Sequence, residues 1–301
     1  MDNDSKGVKM LKSVYRKIRF KQSYYCLDVK NNKWGNQYIY EAIMRGKPCM
    51  VARGGAVELR CIGEYLNGKV FSPKMKEEVQ ICAGVFPPND EILTHFSEYY
   101  IECMSQADLL ALWSVGAEKQ IVKQRCTQSK FTHLEALEPY YFNNPWSRAL
   151  AGKRVLIVHP FIDSIIKQYQ KRELLFENKS ILPEFSELIC VRAVQSNAGE
   201  TSIYNDWFDA LEHMEKEISK YDFDIAIIGA GAYSLPLAAY VKQLGKIAVQ
   251  MSGSTQILFG IKGKRWEQIP EISKFFNENW IRPSEDETPK GSAKVEGGSY
   301  W

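Results

Sequence analysis

No apolar run in the 301-residue chain approaches the roughly 20 residues needed to cross a bilayer, and the first four residues are polar where a secretory leader is apolar. A cytoplasmic protein is the expectation. Charge of one sign is also lacking: 39 basic against 36 acidic residues leave a formal +3, too balanced for the basic stripe of a nucleic-acid binder. Cysteine pairs are missing too. Cys26, Cys49, Cys61, Cys82, Cys103, Cys126 and Cys190 include no C-x-x-C, and an odd count closes no disulfide framework. They read as small buried hydrophobes in a reducing compartment. His95, His133, His159 and His213 form no pair at helical spacing, so no zinc site is expected from them. Repeats and low-complexity tracts are likewise absent.

What is present is an ordinary globular composition, 45% hydrophobic and 25% charged, enough for one large domain or two small ones. Six short apolar runs read as buried strands: residues 49–52, 107–113, 155–158, 188–194, 224–228 and 246–251. Helical patterns alternate with them over 37–44, 90–105, from Glu118, over 167–176 (strongly basic), after Asp206 and over 235–244. Asn89 or Asp90 and Asp206 are the expected caps. At least five strands end in polar or glycine turns. The class expected is therefore α/β and Rossmann-like, with a largely parallel sheet and helices on both faces. Residues 1–282 read as a single large domain, with sub-halves 1–145 and 146–282, followed by an extended tail, 283–301. Tyr300 and Trp301 are oddly apolar for a frayed end and are expected to dock back on the body. Residues 6–21 are amphipathic with a basic face, either a solvated helix or a peripheral contact with the inner face of the membrane.

The densest set of ligand-binding signals lies in residues 222–266. A buried strand breaks at Gly229-Ala230-Gly231, a helix of small residues stops at Gly245, and a second strand ends in Ser252-Gly253-Ser254-Thr255. Two such turns from neighbouring strands would form one crevice at the carboxyl edge of the sheet, where backbone N–H groups meet an anion. Gly-x-Gly alone is equally explained as a tight strand-to-helix turn. Ser234 stands where the dinucleotide fingerprint has its third glycine, which disfavours a nicotinamide or flavin enzyme. Nearer the start, Arg53-Gly54-Gly55 follows a buried strand and Glu58 enters the next helix; a charged pair there is costly unless it binds a ligand or pairs with itself. Trp146, beside Asn144 and Ser147, has the surroundings to stack on a base or sugar, and half-buried packing is the plainer alternative.

Arg53-x-Gly55-x-x-Glu58-Leu59 together with Ile228-Gly229-Ala230-Gly231 resembles the GT-D-type bacterial glycosyltransferases, which carry an Arg-aromatic-Gly-Asp-Gly-Glu-like segment early and a strand, glycine turn, helix, strand unit late. The similarity takes in residues 146–160 and is strongest to a polysaccharide-biosynthesis branch sharing blocks like PYYFNNPWS, VLIVHPF and TQILFGIKGKRW, covering most of residues 30–282. It implies transfer of a sugar from a nucleotide-sugar donor to a glycan or lipid-linked acceptor, with an acidic D-x-E motif near the donor diphosphate and a Mn²⁺ or Mg²⁺ ion. Glu58 matches the motif's glutamate, Arg53 and Gly55 its lead-in, and Ala56 stands where the aspartate belongs. One carboxylate holds such an ion less firmly than two. The alternatives are that Glu58 acts alone, or that a cation such as Arg53 or Lys264 neutralises the diphosphate.

On this reading Glu58 is metal ligand or general base and His159 a second catalytic candidate. The donor is held by Arg53, Gly54, Gly55, Trp146, Ser147, Gly229, Ala230, Gly231, Ser252, Gly253, Ser254, Thr255, Lys264 and Arg265. A methyltransferase-like nucleoside binder would need a carboxylate at the end of the strand after the glycine turn, where Gln250-Met251-Ser252 has none. A non-catalytic nucleotide-binding or scaffold protein of a polysaccharide assembly complex accommodates the missing aspartate. No sequence signal fixes the oligomeric state.

Overall fold

Eight short parallel strands form one sheet in the computed structural model, which describes residues 18–68, 70–200 and 202–301. In chain order they are β1 (Val29–Lys30), β2 (Cys49–Ala52), β3 (Leu109–Leu112), β4 (Lys130–His133), β5 (Arg154–His159), β6 (Glu187–Arg192), β7 (Ile225–Ile228) and β8 (Ile247–Gln250). Their spatial order is β1-β4-β3-β2-β8-β7-β5-β6. The expected α/β class is what the chain adopts, and all six strands read from the sequence are in the sheet. The two not foreseen are at or beside an edge. β1 has only two residues, and β4 reads Lys-Phe-Thr-His with Lys130 exposed, so neither presents an apolar run.

Alternate strand residues face opposite cores, as a parallel sheet covered on both sides requires. Met50, Leu110, Leu156, Ala226 and Ala248 enter one core; Val51, Leu109, Ile157, Ile227 and Val249 enter the other. Each fully buried leucine, isoleucine or valine contributes about 1.5–3 kcal/mol against exposure. The helices of eight residues or more are α1 (Asn32–Arg45), α2 (Ala56–Leu66), α3 (Asp90–Ser105), α4 (Glu118–Arg125), α5 (Ile162–Tyr169), α6 (Trp207–Ser219) and α7 (Ser234–Gln243). Asn89 caps α3 by accepting the Ile92 N–H, and Asp206 caps α6 by accepting that of Asp209.

Two local expectations need correction. The helix read from residue 37 begins at Asn32, because the Asn31 side chain caps α1 at Trp34 and Gly35 allows the helix to press on Thr132 and Ala136. The single basic helix read over 167–176 is two pieces, α5 and a short turn, Arg172–Leu175, with Gln170 and Lys171 between them. Residues 6–17 of the basic N-terminal segment lie outside the described residues. No helix among the described residues is long and apolar enough to cross a membrane.

The order β2-β8 is what matters for function. Val51 pairs in register with Val249, so the carboxyl ends of a strand from the first fifth of the chain and one from the last fifth lie side by side at the centre of the sheet. β7 adjoins β8, with Ile227 opposite Val249.

Candidate functional site

A cavity of about 320 Å³ opens at the carboxyl edge of the sheet, above the ends of β2, β8, β7 and β5. The turn after β2 supplies Arg53, Gly55, Ala56 and Glu58; the turn after β7 supplies Gly229, Ala230 and Gly231; the turn after β8 supplies Ser252, Gly253 and Ser254; His159 ends β5. Gln250 ties two of these turns together. Its Oε1 accepts the Arg53 N–H at 3.0 Å and its Nε2 donates to Ser252 Oγ at 3.1 Å. The polar residue at the end of an apolar strand, which cannot hold a ribose as a carboxylate would, instead braces the floor of the cavity.

Glu58 is the third residue of α2, and Gly55 is the N-cap. Its carboxyl group folds back over Gly55, where a Cβ would collide with it. The Gly55 N–H is taken by the buried Tyr100 hydroxyl at 3.0 Å, so no reciprocal capping box forms. Burial pushes the Glu58 carboxyl above the usual carboxylate range, opposed by its own backbone N–H and by the Arg53 charge. Arg53 and Glu58 do not pair directly: no carboxylate lies within 4.0 Å of the Arg53 guanidinium among the described residues. Arg53 rests instead on the face of Trp113, 5.0 Å from the ring centroid, and Trp113 Nε1 donates to Gly54 O at 3.0 Å. Trp113 sits on a strained turn, with Ser114 at φ +63°. That turn is held by the buried Glu118, which accepts the N–H groups of Trp113 (3.0 Å) and Ser114 (2.7 Å).

A second carboxyl group enters the cavity from a segment the sequence did not single out. Glu138 is half-buried between two 3₁₀ turns, and Ser254 Oγ donates to its Oε1 at 2.6 Å. Burial raises its pKa, and the Ser254 hydrogen bond lowers it. Nothing in the local pattern around Glu138 marks it, because it reaches the site only through contacts across the sheet.

His159 is 2% exposed, and desolvation pushes its pKa down to about 3. Its Nδ1 accepts the Phe161 N–H at 3.0 Å, which leaves Nε2 as the protonated nitrogen of a neutral ring. His159 is thus a hydrogen-bond donor and a poor proton acceptor, contrary to the general-base role open to it from sequence.

Several expected donors are committed elsewhere. The Gly229 N–H donates to Val158 O at 2.8 Å and the Ala230 N–H to Ser234 Oγ at 2.7 Å. Ser234 therefore serves the turn itself. Gly231, at φ +56°, adopts the left-handed conformation that a side chain disfavours. Gly229 answers a different need, since a Cβ there would lie 2.6 Å from Ser252 O and 2.7 Å from His159 Cδ2. Thr255 is fully buried behind this contact and does not line the cavity; Gly54 is also buried, turned to Leu59. Lys264 is exposed and donates to Gly297 O, whereas its neighbour Arg265 does line the cavity. Trp146 and Ser147 are corrections. The Trp146 ring is wholly buried in the core beneath α1, with Nε1 donating to Leu137 O at 3.1 Å, and Ser147 Oγ donates to Ile181 O at 2.7 Å. Neither can meet a ligand; the run of polar neighbours that suggested a loop surface is consumed by hydrogen bonds to α1 and the 178–181 turn.

No group of three His, Cys, Asp or Glu side chains converges as a metal-binding set among the described residues. Mg²⁺ demands near-octahedral oxygen coordination. Ala56 removes the second carboxylate of the turn, and Glu138 Oε1 is already engaged, so the donor set does not fit a resident Mn²⁺ or Mg²⁺.

An all-parallel α/β sheet with a cavity at the carboxyl ends of its central strands is a Rossmann-like arrangement. The family model described as a GT-D fold-like domain matches residues 36–258, and the chain belongs to that family. The match spans β2 through β8 and hence every turn that frames the cavity except the contribution of the C-terminal residues. No curated protein and no solved structure matches the chain.

Proposed function

We propose that the protein is a glycosyltransferase that moves a sugar from a nucleotide-sugar donor to a glycan or lipid-linked acceptor in surface polysaccharide biosynthesis. The observation that carries this reading is Arg53: a guanidinium with no carboxylate partner among the described residues, at the joined carboxyl ends of β2 and β8, on a cavity whose volume falls in the ~300–1,000 Å³ range of ligand pockets. An unpaired cation there favours an anionic ligand, and a pyrophosphate has the charge to satisfy it.

In transfer, the acceptor hydroxyl loses its proton as its oxygen attacks the anomeric carbon, and the bond from that carbon to the nucleoside diphosphate breaks. Glu58, which lines the cavity, takes the proton on this reading; its raised pKa makes it a stronger base than an exposed carboxylate. Arg53 stabilises the departing diphosphate, with the Ser252 hydroxyl and His159 Nε2 as further donors. Glu138, oriented by Ser254, serves to hold sugar or acceptor hydroxyls.

A thermal-shift screen against nucleoside diphosphates and nucleotide sugars, with and without Mn²⁺, tests the reading. A ligand at 100 times its Kd adds about 2.7 kcal/mol to stability. We expect stabilisation by at least one uridine, guanosine or thymidine diphosphate species, and its loss in Arg53→Gln. No shift with any of them would leave the scaffold alternative standing.

A further inference from the structure

The C-terminal residues lie over the same cavity. Their first half is anchored: Glu287, 1% exposed, accepts the N–H groups of Asp163 (2.9 Å) and Ser164 (3.1 Å) at the start of α5 and makes a further hydrogen bond with the Ser164 hydroxyl. The second half is held by backbone carbonyls: Trp301 O and Ser299 O accept the N–H groups of Lys264 (3.3 Å) and Arg265 (3.1 Å), and Tyr300 O accepts from Gln256 Nε2 at 3.1 Å. Glu296, Gly297 and Gly298 are three consecutive left-handed residues at φ +47°, +70° and +78°, a costly conformation for the glutamate. At this bend, Glu296 Oε2 lies 3.4 Å from Arg265 Nη1, with both side chains more than 40% exposed. The Tyr300 ring covers the turn after β8, where a Cβ on Gly253 would be 2.5 Å from the ring. Arg265 also stacks over Tyr300 at 5.1 Å.

Two of the elements that sequence assigned to the donor, Arg265 and the 252–254 turn, are thus engaged by residues 296–301. We propose that residues 288–301 form an autoinhibitory strap, in which Glu296 stands in for the ligand anion on Arg265 and Tyr300 shields the 252–254 turn, so that pyrophosphate binding and the docked state of residues 296–301 exclude each other. The inference rests on the donor-site reading above. Opening breaks the hydrogen bonds of Lys264, Arg265 and Gln256 to the carbonyls of residues 299–301 and uncovers the Tyr300 and Trp301 rings, frees the Glu296 backbone from its left-handed conformation, and leaves the strap tethered by the Glu287 anchor. By linkage, whatever draws the strap off the cavity raises ligand affinity by the same factor that ligand favours release.

The test compares the wild type with Glu296→Gln, titrated with inorganic pyrophosphate by calorimetry, with amide hydrogen exchange of residues 292–301 followed in the wild type. Glu296→Gln is expected to bind about 5-fold tighter or more, and saturating pyrophosphate to speed exchange in 296–301 but not at Glu287. Equal or weaker binding by the variant, or binding with exchange at 296–301 unchanged in the wild type, overturns the strap and leaves the donor site intact. Failure of pyrophosphate to bind either protein overturns both. Should the variant not fold, the wild-type exchange experiment decides alone.

Discussion

Glu58 and His159 were alike from sequence, each a titratable group after a buried strand, and burial separates them. The carboxyl group at the N-terminus of α2 retains the Arg53 charge and its own backbone N–H as counterweights to desolvation, whereas the imidazole has none. Glu58→Gln keeps the side-chain shape and removes the proton acceptor, so turnover should fall about 10²- to 10⁴-fold with the melting temperature at neutral pH unchanged or raised. Turnover at wild-type rate in a folded variant would take Glu58 out of the mechanism. For His159 the sign runs the other way in pH. Its folded pKa of about 3 lies below the ordinary 6.5, so the stability it contributes is present above 6.5 and lost as pH falls from there towards 3. His159→Asn, which can still accept the Phe161 N–H, should therefore lose less stability than wild type between pH 7 and about 4.5, read by urea unfolding. Equal losses would show that another group controls the acid limb.

Among the elements, the glycine turn after β7 and the glycine that ends α7 serve different ends. Gly245, at φ +78°, has nothing within 4 Å of a would-be Cβ, so Gly245→Ala should cost only the conformational penalty, about 1–2 kcal/mol. Nucleotide affinity should not change. Gly229→Ala meets Ser252 O and His159 Cδ2 and must shift the floor of the cavity. We expect about 1–3 kcal/mol of destabilisation together with lost nucleotide binding. Urea unfolding paired with calorimetry separates the two, and a Gly229→Ala protein that binds as wild type would mean that this floor does not touch the ligand. The helix caps at Asn89 and Asp206 were legible because capping is local. β4 was not, since a strand of Lys-Phe-Thr-His is fixed by β3 beside it rather than by its own composition.

For the whole molecule, buried ionisable groups set opposing limits on stability. Burial raises the pKa values of Glu58, Glu118 and Glu138, so their contribution is present below 4.5 and lost as pH rises through their folded values. His159 loses its contribution as pH falls from 6.5. The free energy of unfolding should consequently decline as pH rises above 6.5, where only the carboxyl groups act, and decline as it falls well below 4.5, where only His159 does. Denaturant titrations across the range measure it, and a stability still rising at neutral pH would show that exposed pairs such as Arg154–Asp224 outweigh the buried groups.

The sequence by itself determined the α/β class, six of the eight strands, the glycine and hydroxyl turns at their ends, and the resemblance carried by Arg53, Gly55, Glu58 and the 228–231 unit. These are written in short-range patterns: runs of apolar residues, caps, and glycines where the chain must turn. Only the tertiary structure decided that β2 and β8 are neighbours, which brings Arg53 to Gln250 across 197 positions of chain. It also buried Trp146, brought Glu138 to Ser254, and laid Tyr300 over Gly253. Strand order and side-chain burial depend on which surfaces meet after collapse, and no window of a few residues contains that information.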